Sequence, residues 1–444
     1  MTPSVALSGW GRFPTCWTRL AAPRGPTDVK AELSPGGVIA RGGGRAYGDS
    51  AIGSSRTLDM GRMNRMLAFD YETGTLVAEA GVRLSEIIDV FLPRGFFPFV
   101  TPGTKFVSLG GAIAADVHGK NHHKDGSFGA FVEWIDVMGA DGEVTRAGPR
   151  DNGALFEWTL GGMGLTGIIL RAAIRLRPVE TAWIKQQTLV APDLDAALDA
   201  FERADEATYS VAWIDCLASG KELGRSLILL GEHASAEDLP PEQRAHPFRT
   251  APRRKRTVPF DAPRFTLNRH TVRAFNAAYW RNGSKREGEA LVDWDSYFYP
   301  LDAILGWNRI YGRRGFVQFQ CVLPLDRARD GLERLLLETS QAGQGSFLAV
   351  LKRLGPERGG LSFPMSGYTL ALDFPVNRRA LALIERLESI AIEHGGRFYL
   401  AKDALLGARS LHEADPRAGL FRQMRSERGM NGVFGSRQSD RLLL

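Results

Sequence analysis

Between residues 37 and 178, short apolar and β-branched runs are broken at frequent intervals by glycine, which predicts strands joined by tight turns at 38–40, 75–79, 132–138 and 168–176. A brief helical stretch, 84–91, interrupts them. In the last run Arg171, Arg175 and Arg177 share one parity while Ile168, Leu170, Ala172, Ile174 and Leu176 hold the other, the alternation of a half-buried strand that stops at Pro178. Beyond it the pattern predicts a helix over 192–204, then a polar, proline- and charge-rich stretch over 232–263. Ordinary connections are much shorter, so that stretch reads as a long functional loop or lid. Strands at 315–323, 345–351 and 368–374 alternate with helices at 326–341 and 377–394. This order predicts an antiparallel sheet with helices on one face.

The fold class that follows is α+β in two domains. The first spans 1–182, the second 183–396, and a closing segment, 397–444, is expected to return to the first. A chain of 444 residues with 44% hydrophobic content is long enough for two cores. Its formal charge of +6 favours anionic ligands or an anionic surface, but the excess is too small to be diagnostic. The block Arg253 to Arg256 reads first as a solvated loop, and phosphate or membrane contact is the sharper reading. Cys16, Cys216 and Cys321 lie too far apart for a metal-ligand spacing or a disulfide framework. No apolar run is long enough to cross a bilayer, and the start of the chain lacks the pattern of a secretory signal. The expected location is the cytoplasm, with peripheral membrane contact allowed, and no nucleic-acid partner is expected.

Two stretches carry candidate chemistry. Arg41-Gly42-Gly43-Gly44-Arg45-Ala46-Tyr47-Gly48-Asp49-Ser50 follows the strand at 38–40. Consecutive glycines let the backbone take positive φ and turn several N–H groups into one concavity suited to a pyrophosphate, although the same residues also suit a flexible hairpin. The second stretch opens with Pro102-Gly103-Thr104 and continues from Ser108-Leu109-Gly110-Gly111 through Ala115 and Asp116 to His118-Gly119-Lys120-Asn121-His122-His123. Its small residues permit close approach of a flat ligand, and the polar cluster supplies donors at the ligand's edge. The three histidines lack a partner carboxylate at a recognisable spacing, so no metal is expected. Gly162 to Gly167 satisfies the dinucleotide fingerprint G-x-G-x-x-G, but a helix precedes it and a strand follows, the reverse of the order that motif requires.

Together the two stretches resemble the flavin-binding domain of the vanillyl-alcohol oxidase superfamily. Within it the chain is most similar to the oxidases of polyprenyl-phosphoryl ribose, through RGGGRAYGD at 41–49, PGT at 102–104, GGAIAADVHGKNHH at 110–123, GSFG at 126–129, GGMGLTGII at 161–169, PLDxxxxWNRxYG at 300–312 and YLAKD at 399–403. The resemblance implies FAD held by the residues named in the two stretches, from Arg41 to Ser50, at Gly103 and Thr104, and from Ser108 to Gly111. It adds Ala115, Asp116, His118, Gly119, Asn121, Gly164, Ile168, Ile169 and Tyr399. Members with a covalent flavin often carry a histidine after the glycine triplet, where this chain has Arg45, so the FAD is expected to be non-covalent.

The implied reaction is oxidation of the ribose C2 hydroxyl of a polyprenyl-phosphoryl-β-D-ribofuranose to the 2-keto sugar, the first half of an epimerisation completed by an NAD(P)H-dependent reductase. The electron acceptor would be a quinone or O2. Lys402 and His118 are the implied catalytic residues, and Lys120, Trp213, Gln318, Gln320, Lys352 and Lys402 the substrate-binding ones. The alternation at 315–323 puts Gln318 and Gln320 on one face, which fits either a solvated face or a polar pocket wall. By itself, Lys402 is only a lysine near the end of a strand expected at 397–401. Two departures from the family appear: Ala371 stands where inhibitor-sensitive members have a cysteine, and Thr369 where the family has an asparagine. The competing readings are an FAD enzyme acting on a soluble polyol or aldonolactone, and a non-catalytic flavin-binding module.

Overall fold

The computed structural model describes residues 4–263, 266–346 and 348–444. Three sheets organise it. A four-stranded sheet runs Ser4–Ser8, Thr15–Ala21, Arg56–Asp59, Val38–Arg41. A second runs Met66–Asp70, Thr75–Glu79, Ile168–Pro178, Val132–Met138, Val144–Ala147, with Phe96–Pro98 also paired to Ile168–Pro178. The expected alternation along Ile168–Pro178 holds only in part: Ala172, Ile174 and Leu176 are buried and Arg171 and Arg175 exposed, but Ile169 and Ala173, on the arginine parity, are buried as well. Asp136 on the neighbouring strand draws Arg171 and Arg146 across the solvent face.

The third sheet has eight strands in the order Gly288–Asp293, Trp183–Ala191, Ser226–His233, Tyr209–Ile214, Ala349–Leu354, Gly367–Pro375, Phe316–Pro324, Arg397–Phe398. On one face Val317, Phe319, Cys321, Leu351, Leu370 and Leu372 join a core with the helices Leu325–Ala342 and Arg378–Glu393. Leu332, Leu335, Leu336, Leu383 and Leu387 supply the helices' buried sides, each contributing about 2 kcal/mol by removal from water. Cross-strand register places Gln320 opposite Ala371, Lys352 opposite Thr369, Gln318 opposite Asp373, and Trp213 opposite Val350. Since side chains two apart share a face, all of these lie on the other side of the sheet. That side is polar.

Several expectations need correction. The stretch 232–263 is not one loop: it begins inside Ser226–His233 and contains the short helix Pro241–Arg244 and the strand Arg256–Thr257. Of the solvated block, Arg253 is turned inward and donates to the carbonyls of Asp295 and Tyr299. The strand expected at 397–401 stops at Phe398, because Tyr399 N closes the last rung on Gln320 O and the chain then turns, with Lys402 N donating to Tyr399 O. The strand expected at 345–351 runs Ala349–Leu354, and Phe347 lies outside the described residues. After Tyr399 the chain runs back to the four-stranded sheet, where Val38 bridges Phe434 and Gly53 bridges Ser436. Buried Arg425 ties this return down through the carbonyls of Leu165 and Phe434.

Candidate active site

The two glycine-dense stretches meet. A Cβ on Gly42 would fall 1.8 Å from Ser108 Oγ, and one on Gly43 would fall 2.3 Å from Phe106 O. Only glycine lets the first loop lie this close to the residue that caps the helix Leu109–Ala114, where Ser108 Oγ accepts from Gly111 N. Gly44 takes φ of +63° with the Arg41 guanidinium beside it. Arg41 braces the loop by donating to Ser8 O. Arg45 lies over Trp10 at 4.5 Å and Phe106 at 5.2 Å, and its buried Nε has no partner among the described residues.

The carboxylates of this region are spent on the fold. Asp49 and Asp403 share Arg441, and Asp116 accepts from Ser127 Oγ, Gly129 N and Ser362 Oγ. Asn121 donates to Phe99 O and Asp125. His122 accepts from Gly355 N and His123 meets Ala207 O, so both are structural. Leu109, Ile168 and Ile169 point into cores, leaving only their main chain to a ligand. Gly164, with φ of +78°, sits in the turn before Ile168–Pro178.

The first stretch also docks on the C-terminal segment. Tyr47 N donates to Ala401 O, and a Cβ on Gly48 would fall 2.0 Å from Asp403 O. This places Lys402 Nζ 3.6 Å from the centre of the Tyr47 ring. The Tyr47 phenol is buried, which raises its pKa well above the usual value, so it stays protonated.

Against these two stretches stands the polar face of the large sheet. Thr369 Oγ1 donates to Cys321 O, so it must accept the amide of Gln320, and that amide also reaches His118 Nε2 at 3.3 Å. His118 Nε2 is therefore the acceptor and Nδ1 carries the proton. Burial, with Lys352 as the next cause, holds the imidazole well below its ordinary pKa, and Nδ1 has no partner among the described residues. His118 lies at a tilt against Phe363 and Tyr399, and Tyr399 Oη donates to Ala115 O.

Three lysines converge on this wall with one carboxylate. Lys120 donates to Tyr297 O and lies 4.0 Å from the centre of that ring; burial, then Lys352, pushes its pKa down to about 7. Burial pushes Lys352 down to about 8. Lys402 is lowered by burial, opposed by Asp373, while burial raises Asp373. Asp373 accepts from Gln318 Nε2 and from Tyr311 Oη at 3.3 Å. Trp213 closes one side with Tyr279 at 4.7 Å. Asp373, Tyr311, Phe363 and Tyr297 were not singled out from sequence; only Tyr311 fell within a motif, at 300–312.

The arrangement suits a flavin. It offers a glycine cradle with no room for side chains, unpartnered buried donors on Arg45 and His118, and a cationic wall facing it. Residues 31–148 match the FAD binding domain family. The whole chain is 36% identical, over 456 aligned residues, to the decaprenylphosphoryl-β-D-ribose oxidase of Mycolicibacterium smegmatis, covering 98% of it. It is 32% identical to an uncharacterized protein of Streptomyces coelicolor, over 81% of this chain and all of the other. Similarity to the L-gulonolactone oxidase of Mus musculus, 27% identical, covers 35% of this chain and 36% of that enzyme. The chain is an FAD-dependent oxidoreductase and belongs to the decaprenylphosphoryl-β-D-ribose oxidase family.

Proposed function

We propose that the protein oxidises the C2 hydroxyl of a polyprenyl-phosphoryl-β-D-ribofuranose to the 2-keto sugar. Full-length similarity to an oxidase of that substrate supports this, and the observation that carries it is the convergence of Lys402, Lys120, Lys352 and His118 opposite the glycine cradle. FAD, when bound, supplies the acceptor for the hydride from C2. Arg45 in the position of a covalent histidine supports a dissociable FAD.

The chain's own residues bind, orient and move the proton. Gln318 and Gln320 are fixed by Asp373 and by Thr369, so their remaining hydrogen-bonding groups hold sugar hydroxyls at set positions. Lys120 and Lys352, beside a Lys402 that must be neutral to accept a proton, favour an anionic sugar phosphate. Lys402, its pKa lowered by burial, takes the proton of the C2 hydroxyl, and the ammonium formed stabilises negative charge arriving at the site. The product is a reactive 2-keto sugar that an NAD(P)H-dependent reductase consumes, and a quinone or O2 takes the electrons. The polyprenyl tail implies contact with a membrane surface.

Turnover of the FAD-loaded protein is measured with polyprenyl-phosphoryl ribose, free ribose and L-gulonolactone. Activity on the lipid-linked sugar is the expected result. Turnover restricted to the soluble sugars would discard the proposal.

A further inference from the structure

Residues 249–286 hold eleven Lys and Arg but a single acid, Asp261, a charge of +10, whereas the whole chain carries +6. The rest of the protein is therefore net acidic, and the basic character is concentrated in one segment. The fold lays the described residues of that segment along two flanks of the site described above. On one flank the helix Arg269–Ser284 is anchored by buried Val272 and by Asn276, which donates to Asp215. Its exposed side carries Arg269, Arg273 and Arg281 together with Phe275, 46% exposed, and Tyr279, 43% exposed. Tyr279 touches Trp213 at the pocket wall.

On the other flank Arg256–Thr257 pairs in parallel with Ile304–Leu305. Arg254, Lys255 and Arg256 are exposed there, beside Phe260 at 67%, Leu305 at 40% and Ile304 at 38%. The chain leads from this ribbon directly into the turn Trp307–Tyr311, whose Tyr311 reaches Asp373. Arg253 fastens the ribbon to the body through Asp295 O and Tyr299 O. Each flank thus combines outward cations with large apolar side chains held in water, and each ends on a residue of the pocket.

Cations alone would suit any polyanion. Exposed Phe, Tyr, Ile and Leu interleaved with them are what a headgroup layer accommodates, since the charges meet anionic lipid while the apolar groups enter the acyl boundary. We propose that residues 249–263 and 266–286, with the paired edge Ile304–Leu305, form the surface by which the protein docks on an anionic bilayer, setting the pocket mouth at headgroup level. This deepens the reading of a lipid-linked substrate and rests on it for its purpose, but not for its test.

The test is co-sedimentation of the full-length, FAD-loaded protein with phosphatidylcholine vesicles, with and without phosphatidylglycerol. The protein is expected to pellet with the anionic vesicles and to stay in solution with neutral ones. Combined Arg254→Glu, Lys255→Glu and Arg256→Glu should weaken binding on the order of 100-fold. Combined Phe260→Ser and Leu305→Ser should weaken it less and make the remainder more salt-sensitive. Turnover of a water-soluble short-chain substrate should be unchanged in both variants, which shows that they fold. Equal binding to neutral vesicles, no binding to either, wild-type binding by the charge variant, or tighter binding to duplex DNA than to the vesicles would overturn the proposal. Vesicle binding without turnover of any lipid-linked sugar would instead remove the functional reading and leave the docking surface standing.

Discussion

Lys402 Nζ stands 3.6 Å from the centre of the Tyr47 ring, joining the C-terminal turn to the glycine-dense loop more than 350 residues earlier in the chain. The contact offers the ammonium an aromatic face in place of water. Burial and Lys352 lower its pKa, and Asp373 opposes them. A lysine so placed can exist neutral near physiological pH and take a proton.

If Lys402 is the proton acceptor, its neutral form is the active one. On free enzyme and substrate, kcat/KM should then rise with pH through a value well below that of an ordinary lysine and level off above it. Lys402→Met should cost on the order of 100-fold to 10,000-fold in kcat. Lys402→Arg, permanently charged, should not rescue activity. Substantial activity in Lys402→Arg, with no rising limb in the pH profile, would reduce Lys402 to an electrostatic role.

Gly48 is the point where the loop meets the C-terminal turn, and its Cβ would fall 2.0 Å from Asp403 O. Gly48→Ala should push the two backbones apart, costing about 1–3 kcal/mol, and should weaken FAD as well because Lys402 and Tyr47 move. Thermal unfolding with and without added FAD checks both effects. A Tm within a degree or so of the wild type would show that the loop yields freely.

Lys352 lies half-buried as a cation without a carboxylate partner among the described residues, and desolvation lowers its pKa to about 8 from an unfolded value of 10.5. The folded state therefore binds fewer protons than the unfolded state between those values, so this group's penalty is complete below pH 8 and fades as pH rises toward 10.5. Lys352→Met should stabilise the substrate-free protein by roughly 2 kcal/mol at pH 7, with the advantage shrinking at pH 10. Denaturant melts at the two pH values measure it. The same variant should raise KM more than it lowers kcat, because an anionic substrate loses a partner.

With Arg45 following the glycine triplet, no imidazole stands there to bond the flavin. Acid precipitation should release the yellow colour into the supernatant, and the stripped protein should recover activity with added FAD. Colour retained in the pellet would show a covalent bond.

The glycine stretches were legible because their constraint is local: a backbone that must turn, or approach another, excludes side chains whatever the rest of the fold does. The face shared by Gln318 and Gln320 was legible for a similar reason, since strand parity fixes it. Asp373 and Tyr311 were not, because their roles come from register across the sheet and from a turn at 307–311, neither of which has a period in the sequence. The strand Trp183–Ala191 mixes Lys185, Gln186 and Gln187 with apolar residues and shows weak alternation, so it was missed. The helix Arg269–Ser284 carries arginine, asparagine and glycine around most of its circumference and buries only Val272 and Asn276, so no apolar stripe announced it.

In the proposed reaction a hydride leaves C2 of a lipid-linked ribose between the glycine cradle and Lys402. Rapid anaerobic mixing of the FAD-loaded protein with polyprenyl-phosphoryl ribose, bearing hydrogen or deuterium at C2 or C3, follows that transfer at the flavin. Flavin colour should bleach on mixing, deuterium at C2 should slow the bleaching several-fold, and deuterium at C3 should not. Bleaching that is indifferent to deuterium at C2 but slowed by deuterium at C3, or colour that persists in the presence of this substrate, would contradict it.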